Sequence, residues 1–310
     1  MKHSIFIDGA EGTTGLEIRE RLVGRSEFDL IILDDDKRKD VAARSEALND
    51  ADFAILCLPD AAAKEAVAMV TSDNTRIIDA SSAHRVDPAW TYGFTEFRDG
   101  QREAIATSRR VSNPGCYPTG FLALIAPLVA KGLLPADWPY TVNAVSGYSG
   151  GGKALIQRFE SEGDIGMRSY GLDLAHKHRS EMKRYAGLKH GVIFAPSVVR
   201  AYRGMLVEVP LHLGAIDEKI AADRLLAALR DHYSGYSIVT VSDGEGIDEL
   251  MLNENDPPTD RLELFVFANE GGYHARLIAK LDNLGKGASG AAVQNLNVMA
   301  GLDEEMGLRI

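Results

Sequence analysis

Only two cysteines, Cys57 and Cys116, occur among the 310 residues. Neither lies in a Cys-x-x-Cys pair or at a Cys/His spacing suited to a metal, which sets aside a disulfide framework, a structural zinc and a thioredoxin-like motif. Apolar runs are short, and none approaches the roughly 20 residues that a bilayer-spanning helix needs. Lys/Arg clusters are missing as well. With a formal charge of −11, the chain offers no matching surface to nucleic acid or to an anionic membrane. Net charge does not exclude a small phosphorylated metabolite, because local donors suffice to bind one. No secretory pattern opens the sequence: Lys2 and His3 precede a short apolar segment and then glycine. The expectation is a cytoplasmic protein with reduced thiols.

What is present is an ordinary globular composition, 45% apolar and 25% charged, in a length that usually splits into about two domains. Residues 4–8 read as a buried strand, followed by a glycine turn and a helical run from Leu16 to Leu22. Strands at Asp29–Leu33, Phe53–Leu58 and Ile77–Asp79 alternate with a helix at Ala61–Val70, and Ala104–Ala106 reads as a further short strand. That alternation implies a doubly wound parallel sheet of Rossmann type. After a helix at Phe121–Ala130 the pattern changes to long alternating runs at Tyr140–Val145, Val192–Val199, Met205–Leu213, Ser237–Val241, Glu263–Ala268 and His274–Leu281. One clear helix, Asp217–Tyr233, interrupts them, as expected of an inserted α+β domain with a mixed or antiparallel sheet. Ala288–Leu302 is helical again. The fold class is therefore α/β, with residues 1–115 plus 285–310 as the dinucleotide-binding domain and 116–284 as the catalytic, substrate and oligomerisation domain.

Gly9-Ala10-Glu11-Gly12-Thr13-Thr14-Gly15 follows the first strand and opens a helix. Glycines there permit a tight turn and a close approach of backbone to a pyrophosphate at the helix N-terminus. Gly9, Gly12, Thr13, Thr14 and Gly15 are the candidates for cofactor binding. Beyond the second strand two signals conflict: Asp34 suits a free ribose 2′-hydroxyl, whereas Lys37 and Arg38 suit a 2′-phosphate.

Cys116 sits in Ser112-Asn113-Pro114-Gly115-Cys116-Tyr117-Pro118-Thr119-Gly120. Pro118 fits the first turn of a helix, so the thiol stands at a helix N-terminus, where main-chain N–H groups and the dipole favour the nucleophilic thiolate. Cys57, within an apolar strand, is the inert one. Thiol chemistry also needs an acid/base group. Leu174-Ala175-His176-Lys177-His178-Arg179-Ser180-Glu181 holds the most distinctive histidine pair, two apart and on one face if the segment is extended. Arg85, Lys153, Arg179 and Arg203 are the basic candidates for an anionic substrate. Gly147-Tyr148-Ser149-Gly150-Gly151-Gly152-Lys153 reads equally as a phosphate-binding loop and as a plain strand-to-helix connection.

The run from Asn113 to Gly120 resembles the active-site signature of the N-acetyl-gamma-glutamyl-phosphate reductases, in their shorter form. His176, His178 and Glu181 resemble that family's histidine segment, with Ser180 where the family often has proline. Ile78-Asp79-Ala80-Ser81-Ser82-Ala83-His84-Arg85 resembles its substrate-side loop, and Arg203-Gly204-Met205 its Arg-Gly segment. Asp282-Asn283-Leu284-Gly285-Lys286-Gly287-Ala288-Ser289-Gly290, with Gln294-Asn295, resembles its C-terminal cofactor-side segment. The related aspartate-semialdehyde dehydrogenases are expected to carry arginine two positions after the cysteine, where this chain has Pro118.

The resemblance implies an oxidoreductase of arginine biosynthesis that reduces an acyl phosphate with NADP(H) through a cysteine thioester, working as a homo-oligomer without a metal. It implies Cys116 as nucleophile, His178 as acid/base, and Asn113, His176, Glu181, Arg85 and Arg203 as substrate-binding residues. To the cofactor it assigns the glycine turn, Lys37 and Arg38 over Asp34, and Ser81, Asn283 and Gly285. Two alternatives stay open: an acyl phosphate one carbon longer, since one methylene is worth only about 1–3 kcal/mol in a pocket, and a catalytically silent nucleotide-binding protein.

Overall fold

The computed structural model describes residues 2–217 and 220–310, which divide into two compact units. The first holds the chain to Thr95, Asp99–Gly115 and Ala288–Leu308; the second holds Glu96–Arg98, Cys116–Gly287 and Arg309–Ile310.

In the first unit β1 (His3–Asp8), α1 (Thr13–Leu22), β2 (Phe28–Ile31), α2 (Val41–Asp50), β3 (Phe53–Leu56), α3 (Asp60–Met69) and β4 (Arg76–Asp79) alternate along the chain. β5 (Thr91–Tyr92), α4 (Gln101–Thr107) and β6 (Arg110–Ser112) follow. All six strands run parallel in the order β2-β1-β3-β4-β6-β5. Successive side chains of β1 serve opposite faces: Ile5 and Ile7 join Ile18, Leu22 and Ile55 on one side, while Phe6 joins Leu48, Leu56 and Ile77 on the other. β2 and β3 flank β1, so the order reverses there. The ends of β1 and β3 form the switch point at which such sheets bind ligands.

Ala104–Ala106, expected as a strand, lies inside α4. The run Gln-Arg-Glu-Ala-Ile-Ala-Thr consists mostly of helix formers and buries only Gln101 and Ile105, four apart on one helical face. The helix α2 was not expected at all. It buries only Ala47 and Leu48, too narrow a stripe to read from the sequence, and its start is fixed by Asp40, whose carboxylate accepts the Ala43 N–H at 2.8 Å.

The second unit comprises α5 (Cys116–Ala130), β7 (Thr141–Gly147), α6 (Gly152–Ser161), β8 (Met167–Ser169), α7 (His178–Tyr185), β9 (Ile193–Val199) and β10 (Met205–His212). It continues with α8 (Leu213–Ile216), α9 (Ala222–His232), β11 (Val239–Ser242), β12 (Leu262–Ala268) and β13 (His274–Leu281). Its seven strands are ordered β11-β12-β13-β10-β7-β9-β8. Parallel pairs β11/β12 and β7/β9 are joined by antiparallel ones, making a mixed sheet. Buried along nearly its whole length, α5 lies against β10, β12 and β13. A side chain at Gly120 would meet Val207 at 2.8 Å, so this glycine sets how closely the helix, and the thiol one turn before it, approaches the sheet.

The expectation of a single interrupting helix is corrected by α6 and α7. Among their residues α6 buries only Phe159 and α7 only His178, Glu181 and Met182, so neither presents a broad apolar face. The helix expected over Asp217–Tyr233 is α9 preceded by the separate α8, with residues 218–219 outside the described residues. After β13 a wide turn, Gly285–Ser289, leads into α10 (Gly290–Met299), which belongs to the first unit. Among the described residues no helix is long and apolar enough to cross a membrane.

Candidate active site

Cys116 is the first residue of α5, half-exposed. Asn113, Pro114 and Gly115 lead into it from β6. In the first unit Asn113 is held on every side. Its N–H donates to the Asp79 carbonyl at 2.8 Å, and its own carbonyl accepts Arg85 Nε at 2.9 Å. Its side-chain amide donates to the Ala288 carbonyl at 2.9 Å and accepts from Asn295 at 3.0 Å. Arg85 also donates to the Ala80 carbonyl at 3.0 Å and is buried. Both residues thus brace the main chain that leads into the cysteine.

In the second unit Tyr117, the next residue, is the hub of a ring cluster. Tyr170 donates to the Tyr117 hydroxyl at 3.1 Å. The rings of His176 and His178 lie 6.2 and 5.8 Å from that of Tyr117, and 4.7 Å from each other. Phe194 closes on His176 at 5.1 Å. The two histidines meet without the extended segment expected of them: His176 stands in the turn before α7, and His178 opens the helix. Glu181 follows one turn later on the same face and is buried.

The His178 N–H donates to His176 Nδ1 at 3.2 Å. A neutral His176 ring therefore carries its proton on Nε2. Burial, aided by the neighbouring Lys177 charge, lowers its basicity below the ordinary histidine value, so His176 is a neutral N–H donor. Tyr170 is pushed up to about 12, chiefly by burial, and Tyr117 well above its usual range for the same reason. Both remain hydroxyls.

Arg203 donates from Nη1 to Asp282 Oδ2 at 2.9 Å. That buried carboxylate also accepts the Leu284 N–H at 2.8 Å and the Thr259 N–H at 3.3 Å. Asn283 donates to Ser149 Oγ at 2.9 Å, and Gly285 lies against the Thr259 carbonyl, leaving no room for a side chain. The glycine-rich segment after β7 makes a strand-to-helix connection, with the N–H groups of Tyr148 and Ser149 on the carbonyls of Ala201 and Tyr202. Arg179 braces the Val192 carbonyl at 2.9 Å, and Lys153 is exposed.

The glycine turn lies at the switch point of the first unit. Gly9 has a φ of +86°, and a side chain there would meet the Cys57 carbonyl oxygen at 2.4 Å; one at Gly15 would meet the Gly9 oxygen at 2.4 Å. Gly12 has an ordinary φ of −72° and caps α1. Thr13 follows with a buried hydroxyl that has no protein partner, and Thr14 continues the helix. Arg44 grips Asp8, at the end of β1, with its closest contact 2.8 Å. At the end of β4, Asp79 accepts from the Ser81 N–H and hydroxyl, both at 2.8 Å, and pairs with His84 at 2.7 Å. Lys37 is exposed on the turn after β2, and Arg38 pairs loosely with Asp35 at 3.4 Å. Among the described residues no group of three or more His, Cys, Asp or Glu is arranged to hold a metal.

Residues 4–108 match the semialdehyde dehydrogenase NAD-binding domain, and residues 116–283 the semialdehyde dehydrogenase dimerisation domain. The N-acetyl-gamma-glutamyl-phosphate reductase of Trichormus variabilis is 48% identical over 99% of this chain and 99% of its own. The protein of that name from Sinorhizobium fredii is 50% identical over 96% of this chain and 99% of its own. The chain belongs to the N-acetyl-gamma-glutamyl-phosphate reductase family. Among solved structures, Vibrio cholerae aspartate semialdehyde dehydrogenase II superposes with a TM-score of 0.71 at 15% identity, covering 97% of this chain and 99% of that one. The Candida albicans aspartate semialdehyde dehydrogenase with NADP gives 0.66 at 13% identity, covering 96% and 99%. At such identity the likeness is one of fold.

A reductase of this family needs a nicotinamide cofactor, and the first unit has the features to receive one. Two glycines of the turn are demanded by the protein's own packing, but the middle one is not: a Cβ at Gly12 would come no nearer than 3.4 Å to any protein atom. Its open face and the unpartnered Thr13 hydroxyl fit a pyrophosphate at the N-terminus of α1. Sequence reasoning missed Tyr117 and Tyr170 as a pair, because residues 53 positions apart carry no local signal for each other. Gly287 was missed too, although it lies inside a recognised segment.

Proposed function

We infer that this chain reduces N-acetyl-L-glutamyl 5-phosphate to N-acetyl-L-glutamate 5-semialdehyde and phosphate, with NADPH as the reductant. The observation that carries the reading is a thiol at the N-terminus of a buried helix, adjoining a ring cluster that holds one histidine neutral. The Cys116 thiolate attacks the acyl-phosphate carbonyl carbon, and the carbon–oxygen bond to phosphate breaks to leave a thioester. NADPH, when bound, supplies hydride. Main-chain N–H groups at the start of α5 face the charge that develops on the carbonyl oxygen. Once the carbonyl carbon is reduced, sulfur leaves as thiolate and a histidine manages the proton. His176 offers an N–H but no basic nitrogen, since Nδ1 is engaged and Nε2 is protonated. The proton transfers therefore fall to His178, while His176, Glu181 and Arg203 bind the substrate. We also assign the cytoplasm as the compartment and a homo-oligomer assembled through the second unit as the working form.

The direct test is the reverse reaction: phosphate-dependent reduction of NADP with N-acetylglutamate semialdehyde and purified protein. Activity confined to the semialdehyde one carbon longer would overturn the substrate assignment. For the histidines, His178→Asn lowers kcat by about 10²–10⁴-fold, the usual range for general acid–base catalysis, and removes one limb of the pH–rate profile. His176→Asn mainly raises KM and keeps both limbs. Loss of a limb in His176→Asn alone would reverse the two roles.

For the cofactor, Lys37 and Arg38 meet the 2′-phosphate. Removing both to alanine weakens NADPH binding by about tenfold or more, since a hydrogen bond to a charged group is worth roughly 1.5–3 kcal/mol, while NADH binding is unchanged. Equal weakening of the two nucleotides, measured by titration calorimetry, would refute that assignment.

A further inference from the structure

The second unit contains a charged pair with no place in the chemistry above. Lys286 Nζ lies 2.8 Å from both carboxylate oxygens of Glu96, and the two side chains are 2% and 0% exposed. Such a pair is weak evidence for stability: taking two charges out of water costs about what their attraction returns, and apolar residues of the same volume often serve as well. What it gives in addition is direction. Two short charge-assisted bonds fix the ammonium to one place, and the backbone of residue 286 goes with it.

Gly287 is the next residue. A Cβ at this position would lie 2.8 Å from Cys116 Cβ and 3.4 Å from its Cα, so the bare backbone of Gly287 is packed onto the carbon that carries the thiol sulfur. The segment is tied at both ends. Asp282 is held by Arg203 at 2.9 Å, its carbonyl accepts the Gly287 N–H at 2.9 Å in a wide turn, and Lys286 is held by Glu96. Glu96 is fixed in turn, its carbonyl bonded to His232 Nε2 at 3.1 Å.

We propose that Lys286 and Glu96 are a positioning pair for the nucleophile, seating Gly287 against Cys116 so that the thiol keeps one orientation. Neither residue touches the reacting atoms. The proposal rests on Cys116 being the nucleophile, but its first readout is the thiol itself, with turnover as the second. The rate of alkylation of Cys116 by iodoacetamide is followed against pH by peptide mass spectrometry.

Two variants keep the fold accessible. Glu96→Asp retains both charges but draws the carboxylate back by one carbon. Glu96→Gln with Lys286→Met removes both charges together and leaves no lone buried ion. In each, the expected result is a change of at least about fivefold in the Cys116 alkylation rate, or a displaced pH midpoint. We expect kcat to fall about tenfold or more with KM for NADPH within twofold, and Tm to stay within a few degrees. Because Gly287→Ala disturbs the same contact, its loss in kcat combined with that of Glu96→Asp is smaller than the product of the two, the signature of coupled sites.

Wild-type alkylation in both variants overturns the proposal. So do losses that multiply, and so does a joint collapse of Tm and alkylation in both, which would assign the pair a purely structural role. Failure of the nucleophile assignment reads differently, as turnover retained in Cys116→Ser whatever the pair does.

Discussion

Cys116→Ser abolishes measurable turnover, with kcat lowered on the order of 10⁴–10⁶-fold, as when a covalent nucleophile is removed elsewhere. The two side chains differ by one atom, and the fold has no reason to notice. Serine suits the start of a helix as well as cysteine does, and the contact with Gly287 is made by Cβ, which both residues share. What is lost is acidity. A helix start helps to ionise a thiol near neutral pH but leaves an alcohol far from ionisation, so the attack on the acyl phosphate stops while NADPH binding and Tm stay at wild-type values. Three measurements check this: steady-state kcat, cofactor affinity, and mass spectrometry of protein mixed with acyl phosphate in the absence of cofactor. The wild type gains an acyl group on the peptide carrying Cys116, and the variant gains none. Cys57 supplies an internal control. Burial, with the neighbouring Asp79 and Asp8 carboxylates adding to it, pushes its thiol up to about 12, so it stays protonated and unmodified. Acylation at Cys57, or turnover above about 1% of wild type in the serine variant, contradicts the mechanism.

The place of Cys116 at a helix start was legible because everything that marks it is local: proline and glycine before the thiol, a proline after it, then an apolar run. The glycine-rich turn between a strand and a helix was legible for the same reason, as were the longer strands of both sheets; β5, β6 and β8, two or three residues each, were not. Helices α2, α6 and α7 were not, since each buries only one to three residues. The histidines show a subtler failure. Their proximity was expected from an extended segment, yet it arises where a turn meets the start of a helix, and the bond from the His178 N–H to His176 Nδ1 depends on that junction. Arg85 shows another. An arginine in a recognised loop reads as an anion binder; that its guanidinium also donates to the carbonyls of Ala80 and Asn113 has no compositional mark. Lys286 and Glu96 are 190 positions apart; nothing local to either residue names the other.

The three glycines of the cofactor turn are expected to respond in opposite directions, although their spacing in the sequence treats them alike. Gly9→Ala forces a side chain into left-handed backbone and onto the Cys57 carbonyl, and Gly15→Ala drives one onto the Gly9 carbonyl. Both obstacles are main chain at the switch point of the parallel sheet, so relief requires β1 or β3 to move. The strain and the forced shift together cost roughly 2–5 kcal/mol, a drop in Tm of about 5–15 °C for a unit of this size. Gly12→Ala meets no such obstacle. Its φ of −72° and ψ of 162° are open to alanine, and removing a glycine's freedom from the unfolded chain stabilises by about 0.4–1 kcal/mol. Its Tm therefore holds or rises slightly. The new methyl stands instead where a pyrophosphate must approach the N-terminus of α1, and the Kd for NADPH rises about tenfold or more. Thermal melts with and without NADPH separate the cases. Gly9→Ala and Gly15→Ala melt early in both conditions, whereas Gly12→Ala melts normally alone and loses the increment that NADPH gives the wild type. An intact increment in Gly12→Ala would mean that the middle glycine faces no ligand and that the phosphates lie elsewhere on this unit.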